Sequence, residues 1–287
     1  MEEKEDVFRR IRNKSAEMSK AQKKIALFIE RYPDTAPFLT AAKLAETAEV
    51  GEATVVRFAV FLGYSGYSEM QRSLQERMRE RLTTVDRLEL SEDVYPEESH
   101  VAYEVLNDDL SNLKQTMSMM NASSFAEAVD RITRARRIQV VAFRSSHALG
   151  YFLTFYLNLL LQNTQFIANS DTMFERLSTL GREDLVIGIG FPRYTARTVQ
   201  ALSFSRIRNV QTLALTDSNG SPLAREAGTY LVASSRLPSF VDSFTAPLSL
   251  INALLTAVGR NSKPKVARRL RDMEQLWDQE GIYFPEP

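Results

Sequence analysis

Cysteine is absent from all 287 residues, and histidine occurs only at His100 and His147. Without a thiol there is no disulfide and no thiolate metal site, which removes the commonest structural zinc arrangements and suits a reducing compartment. Nothing in the composition calls for a metal or another cofactor. An excess of either charge is also missing: 36 Lys/Arg stand against 36 Asp/Glu. The molecule as a whole is therefore not built as a non-specific nucleic-acid binder. No uninterrupted apolar run reaches signal-peptide or membrane-span length, and the N-terminus MEEKEDVFRRIRNK is charged from its second residue. A cytoplasmic chain without a membrane partner is expected. Internal repeats and low-complexity tracts are lacking too. What remains is 44% hydrophobic and 25% charged, a globular composition on a chain long enough for two domains.

The neutral total hides an uneven distribution. Residues 1–82 carry 15 basic and 13 acidic side chains, residues 83–118 carry 2 and 9, and residues 119–287 carry 19 and 14. The acidic middle separates two parts with different periodicity. From Asp6 to about Arg81 apolar residues recur every three or four positions and no alternating run appears, which predicts an all-helical domain over 1–82. Thr83–Glu98 contains Pro96 and shows little periodicity, so 83–118 reads as an acidic linker followed by a connecting helix from Val101. Leu106, Leu110, Leu113 and Met117 form a stripe on that helix.

After a further helix from Ser124 to Arg137 the pattern changes to short apolar runs, Ile138–Phe143, Thr164–Ile167, Leu185–Gly190, Val210–Thr216 and Thr229–Ala233, alternating with helix-like segments. Five strands separated by helices predict an α/β domain over 119–260, a parallel five-stranded sheet flanked by helices, with a C-terminal helix and tail over 261–287. Ligands of such sheets bind at the carboxyl ends of the strands, which directs attention to the loops after Phe143, Gly190 and Thr216.

Within the first domain, LTAAKLAETAEVGEATVVRFAVFLGY reads as two short helices joined by a tight turn. Thr40 caps the first helix, Ala41–Ala48; Glu49-Val50-Gly51 turns the chain; Glu52–Leu62 forms the second. Leu44, Ala45, Val50, Val55, Val56 and Ala59 are expected on the inner face. Glu52, Ala53, Thr54, Arg57 and Phe58 are left toward the outside or its margin, where such a helix enters a DNA major groove. Arg57 offers paired hydrogen bonds to a guanine edge, and Lys43 and Arg72 are placed for phosphates. On spacing alone the alternative is a helix pair that never meets DNA. The stretch from Met18 to Leu74, and above all EATVVRF followed by LGYSGYSE, resembles the helix-turn-helix domain of the RpiR-type transcriptional regulators. The resemblance extends over nearly the whole chain, because that family joins this domain to a C-terminal SIS (sugar isomerase) domain. It implies a homodimer or homotetramer reading a palindromic double-stranded DNA operator. Gly51 stands where the family usually has a capping serine.

In the second domain VVAFRSSHALG places Arg144, Ser145 and Ser146 between a strand and a helix, GIGFPRYTARTV places Arg193, Tyr194, Thr195 and Arg197 likewise, and TDSNGSPLA offers Thr216, Asp217 and Ser221. Hydroxyls and free N–H groups at helix starts suit an anion, although each serine taken alone is an ordinary cap. SPLA, residues 221–224, is similar to SIS domains. Typical phosphosugar-binding members have SxSGxTxE after the third strand. At the matching positions stand Gly190, Pro192, Arg193, Thr195 and Arg197, so only the threonine is kept, and Pro192 removes a backbone donor. The first loop keeps Ser146 but has Ala142 and Arg144 where glycines are usual. Arg144, Arg193 and Arg197 can replace a hydroxyl cradle by bidentate binding of a phosphate or carboxylate, or instead make salt bridges between subunits.

The expectation is a DNA-binding regulator modulated by a small anionic sugar-like ligand, phosphosugars included. The alternatives are an SIS-like domain that only oligomerises or takes a non-phosphorylated effector, and an aldose-ketose isomerase. An isomerase needs a positioned base; only His100 and His147 exist, and the loop glutamate position is Arg197. No catalytic residue is assigned.

Overall fold

The computed structural model describes residues 7–33, 35–79, 83–95, 99–261 and 263–284. Contacts divide the chain into two compact units between Glu98 and Ser99, with Pro238–Phe240 grouped in the first.

In the first unit, helix α1 (Val7–Lys14) leads into α2 (Lys20–Arg31). The start of α2 is fixed by Ser19, whose side chain accepts from Gln22 N while the Gln22 side chain accepts from Ser19 N. Helices α3 (Ala41–Thr47) and α4 (Glu52–Phe61) form the helix-turn-helix, and α5 (Tyr67–Arg79) and α6 (Thr84–Val94) follow. The turn is closed by Val50 N donating to Ala45 O at 2.9 Å, which carries Glu49 into left-handed backbone at φ 50°. Gly63 ends α4 at φ 90°, a conformation open to glycine without a steric penalty. Ile25, Ile29, Leu44, Val55, Phe58, Leu62, Met70 and Leu74 are all but fully buried and make one core. Helix α6 occupies the acidic stretch read as a connection. Its start is set by a reciprocal Thr83–Asp86 capping box, a local signal stronger than the weak periodicity that follows.

Helix α4 is anchored at its far end. Arg10 Nη1 donates to the carbonyls of Leu62 and Gly63 at 3.1 and 3.2 Å, and Lys14 Nζ donates to Phe61 O at 2.6 Å. Two cations thus satisfy carbonyls that a helix C-terminus leaves open, and they also match the sign of its dipole.

The second unit opens with α7 (Val101–Met119) and α8 (Ala122–Arg134), then β1 (Ile138–Val141), α9 (His147–Leu161), β2 (Thr164–Ile167), α10 (Met173–Ser178) and β3 (Leu185–Ile189). It continues with α11 (Ala196–Ile207), β4 (Gln211–Thr216), α12 (Pro222–Glu226), β5 (Thr229–Val232), α13 (Thr245–Asn261) and α14 (Lys263–Gln279). All strand pairings are parallel and the order is β2-β1-β3-β4-β5. Side chains of α8, α9 and α13 pack one face around Val140, Ile187 and Leu213. Those of α10, α11 and α12 pack the other around Val141, Val186 and Ala214. Gly150 lets α9 lie close: a Cβ there would stand 2.8 Å from that of Ala142.

At the amino edge of the sheet, Asp184 has no exposed side-chain surface and accepts from both nitrogens of each of two guanidinium forks. Arg136 binds it at 3.0 and 2.8 Å, Arg137 at 3.3 and 2.9 Å, and Gly181 N adds a bond of 2.9 Å. Burial alone would raise this carboxyl's pKa; the bonds from Arg136, Arg137 and Gly181 outweigh it and hold the group well below the usual carboxylate range. Asp184→Ala, which leaves both arginines without their partner, is expected to destabilise the protein by about 3 kcal/mol, read as a lower melting temperature at pH 7. Because the folded pKa is depressed, this contribution is complete above about pH 4 and is lost as pH falls further, so the gap between wild type and variant closes only in acid.

Candidate DNA-reading face and effector cleft

On α4 the side chains of Glu52, Ala53 and Arg57 are exposed and Thr54 is half-buried, so these four lie on the outer side of the helix or its margin. Phe58 is not on that face: it is fully buried, with Val55, Ala59 and Leu62 at the i, i+3, i+4, i+7 spacing of one helical stripe. Val56, expected inside, lies about 100° away from Val55 and is 40% exposed, as is Val60 at 53%. The correction exchanges Phe58 for Val56 and Val60. Lys43 is exposed on α3 and forms a surface ion pair with Glu46 at 2.9 Å. Arg72 stands on α5, and its side chain lies outside the described residues. Gly51 is the N-cap of α4 in extended backbone, without a side-chain cap.

The second candidate region is the carboxyl edge of the sheet. Strands β1 and β3 are neighbours, with Val141 beside Gly188, yet α9 after β1 and α11 after β3 pass to opposite faces. This is a topological switch point, the place where open α/β sheets bind their ligands. The loop after β1 carries Arg144 and Ser145, both exposed, and Ser146, buried. The loop after β3 carries exposed Arg193 and half-buried Tyr194 and Thr195. Arg144 and Arg193 both adopt left-handed backbone, at φ 55° and 61°. For a residue with a Cβ this conformation is disfavoured by about 1 kcal/mol or more.

Neither helix that starts here is capped by a side chain. Ser146 and Thr195 are the N-cap residues of α9 and α11, and neither hydroxyl accepts a bond from the helix. Ser221, by contrast, is buried and spends its oxygen on Ala224 N at 3.0 Å, so it serves as the cap of α12. Tyr194 Oη donates to Asp217 Oδ1 at 2.6 Å, tying the loop after β3 to the loop after β4. Arg197 turns along its helix to Gln200 at 3.1 Å. Sequence reasoning missed Thr198, whose buried Oγ1 in the first turn of α11 has no partner among the described residues. It also missed the loop after β5, where Ser234 Oγ donates to Asn112 Oδ1 at 2.6 Å.

Residues 6–81 match the helix-turn-helix domain of the rpiR family and residues 131–257 match the SIS domain. The chain belongs to the RpiR-type transcriptional regulators. Among curated relatives of this regulator, the HTH-type transcriptional regulator HexR of Pseudomonas aeruginosa is 27% identical over 224 residues, 77% of this chain and 76% of that protein. The sugar isomerase domain of an RpiR transcription factor from Sphaerobacter thermophilus superposes with a TM-score of 0.60 at 32% identity, over 61% of this chain and 99% of that one. NanR of Vibrio vulnificus, solved in complex with ManNAc-6P, has the same fold, with a TM-score of 0.59 at 20% identity over 96% and 98% of the two chains.

The RpiR-type helix-turn-helix makes two expectations separable. Phe58→Ala should destabilise the helical unit by about 3–4 kcal/mol and lose DNA binding through unfolding. Arg57→Ala should leave the melting temperature within about 1 °C, since an exposed side chain contributes little to stability, and narrow the difference in affinity between a cognate and a scrambled duplex.

Proposed function

We propose that this RpiR-type regulator senses a small anionic sugar, a sugar phosphate foremost, in the crevice between the loops after β1 and β3, and that binding there changes its affinity for operator DNA. The observation that carries the reading is the pair of helix N-termini, α9 and α11, that start from adjacent strands without side-chain caps. The positive ends of two helix dipoles favour a phosphate or carboxylate, and Arg144 and Arg193 on the same loops add charge and paired donors. Asp217, held by Tyr194, suits the hydroxyls of a sugar and not its anion. The complex of NanR with ManNAc-6P supports the ligand class, since that protein shares this fold. The role is regulation and not isomerisation: the ring of His147 packs edge-on against Phe166 at 4.7 Å, and the curated relatives are named as regulators. Acting on DNA, the protein works beside the chromosome in the cytoplasm.

Self-association into a dimer or a higher homo-oligomer, matched to a palindromic operator, belongs to this reading. Helix α7 buries its polar side, Asn112 and Thr116, and exposes Tyr103, Leu106, Leu110 and Met117 at alternating spacings of three, four and seven residues. Such a seam suits another helix. On α9 the exposed Tyr151 and Phe155 adjoin a groove of about 870 Å³ lined by Phe152, Tyr156, Leu160, Leu255, Val266 and Leu270. Ridge beside groove is the complementarity a two-fold contact requires.

The test is thermal unfolding of the full chain against hexose phosphates, N-acetylhexosamine phosphates, the matching free sugars and inorganic phosphate. One sugar phosphate at about 100 times its Kd should add about 2.7 kcal/mol and raise the melting temperature by several degrees, and the Arg144→Ala/Arg193→Ala double variant should lose the rise. A rise that survives the double variant, or none with any sugar phosphate, contradicts the proposal.

A further inference from the structure

Helix α4, EATVVRFAVF, is apolar almost all the way round: only Glu52, Thr54 and Arg57 carry polar side chains. Val55, Phe58 and Ala59 account for the buried side. The opposite side repeats the apolar character at positions 53, 56 and 60, where Ala53 is exposed, Val56 is 40% exposed and Val60 is 53% exposed. A helix apolar on both sides is one that is covered on both sides in its working state. Arg57, one residue from Val56 and also exposed, is the sole cation on the helix, so this strip is continuous with the face that reads DNA.

The apolar feature that a major groove presents to a helix is the thymine 5-methyl group. Ala53 to Val60 spans seven residues, about 10 Å along the helix axis, which is the rise of about three base pairs. Branched Val56 and Val60 lie one turn apart, and each presents two methyl groups. We propose that Ala53, Val56 and Val60 read thymine methyls, so that each operator half-site carries T·A pairs at two or more positions next to the guanine bound by Arg57. Sequence preference would then rest chiefly on apolar contact and Arg57, with Glu52 and Thr54 the other polar side chains on the helix. This rests on α4 being the element that enters the groove.

The experiment begins with selection of duplexes from a randomised library by the full-length protein. The preferred duplex is then resynthesised with each thymine in turn replaced by uracil, which removes one methyl group and leaves every hydrogen-bonding edge in place. Loss of a buried methyl is worth about fourfold in Kd at fixed salt. Uracil at two or more half-site positions should weaken wild-type binding by about that factor. Val56→Ala should abolish the sensitivity at one of those positions and Val60→Ala at another, with the exposed substitutions leaving the fold intact. Indifference of the wild type to uracil at every position overturns the inference. So does sensitivity that both variants retain, and so does a change of oligomeric state in the variants without a change in uracil response, which would assign the strip to a second copy. If Arg57→Ala selects the same sequences with the same affinity as wild type, the reading of α4 itself has failed; if Arg57→Ala relaxes the selection while uracil is tolerated everywhere, only the thymine inference has failed.

Discussion

The switch point between β1 and β3 follows from one constraint, that the chain after β1 and the chain after β3 must leave a shared sheet edge in opposite directions. Crossovers between parallel strands are right-handed, so the order β2-β1-β3-β4-β5 forces α9 onto one face and α11 onto the other. Helix α9 is pulled close to the sheet by Gly150, and α11 packs Leu202 onto Gly188, where a Cβ would meet Leu202 within 3.0 Å. The two helix N-termini are thereby fixed by packing and not by caps of their own.

The opposite edge of the sheet carries the ion cluster. Asp184 gathers Arg136 and Arg137 where β1 and β3 begin, at the opposite end of the same strands from the switch point. The ion cluster is thus kept a strand length away from Arg144 and Arg193 on the loops at the other edge. A similar separation holds in the helical unit. Arg10 and Lys14 of α1 hold the end of α4, whose own cation, Arg57, stays exposed.

The alternation of strands and helices was legible because each short apolar run is bounded by polar or turn residues, and the structure has all five strands within one or two residues of the expected ends. The helix-turn-helix was legible for the same reason, apart from Phe58 and Val56. Both are apolar and two positions apart, so composition does not distinguish them; only the phase set by Val55, Ala59 and Leu62 does. Helix α6 escaped notice because its capping box is local while its apolar face is sparse. At the carboxyl edge of the sheet, sequence placed the loops after β1, β3 and β4 at the strand ends where the structure has them, but did not show what their hydroxyls do. Whether Ser221 caps and Thr195 does not is decided by hydrogen-bond geometry within a turn, and the Tyr194–Asp217 bond joins residues 23 positions apart. Neither leaves a pattern in a single sequence.

The central claim is that an anionic sugar occupies the uncapped helix starts at the β1/β3 switch point. Hydrogen exchange of backbone amides in the full chain, with and without the sugar phosphate that stabilises it, tests this most directly, because it reports which N–H groups the ligand engages. The account predicts slowed exchange in the peptides covering residues 144–149 and 193–198, at the starts of α9 and α11. Protection confined to the groove between α9, α13 and α14, with those two segments unchanged, would contradict it.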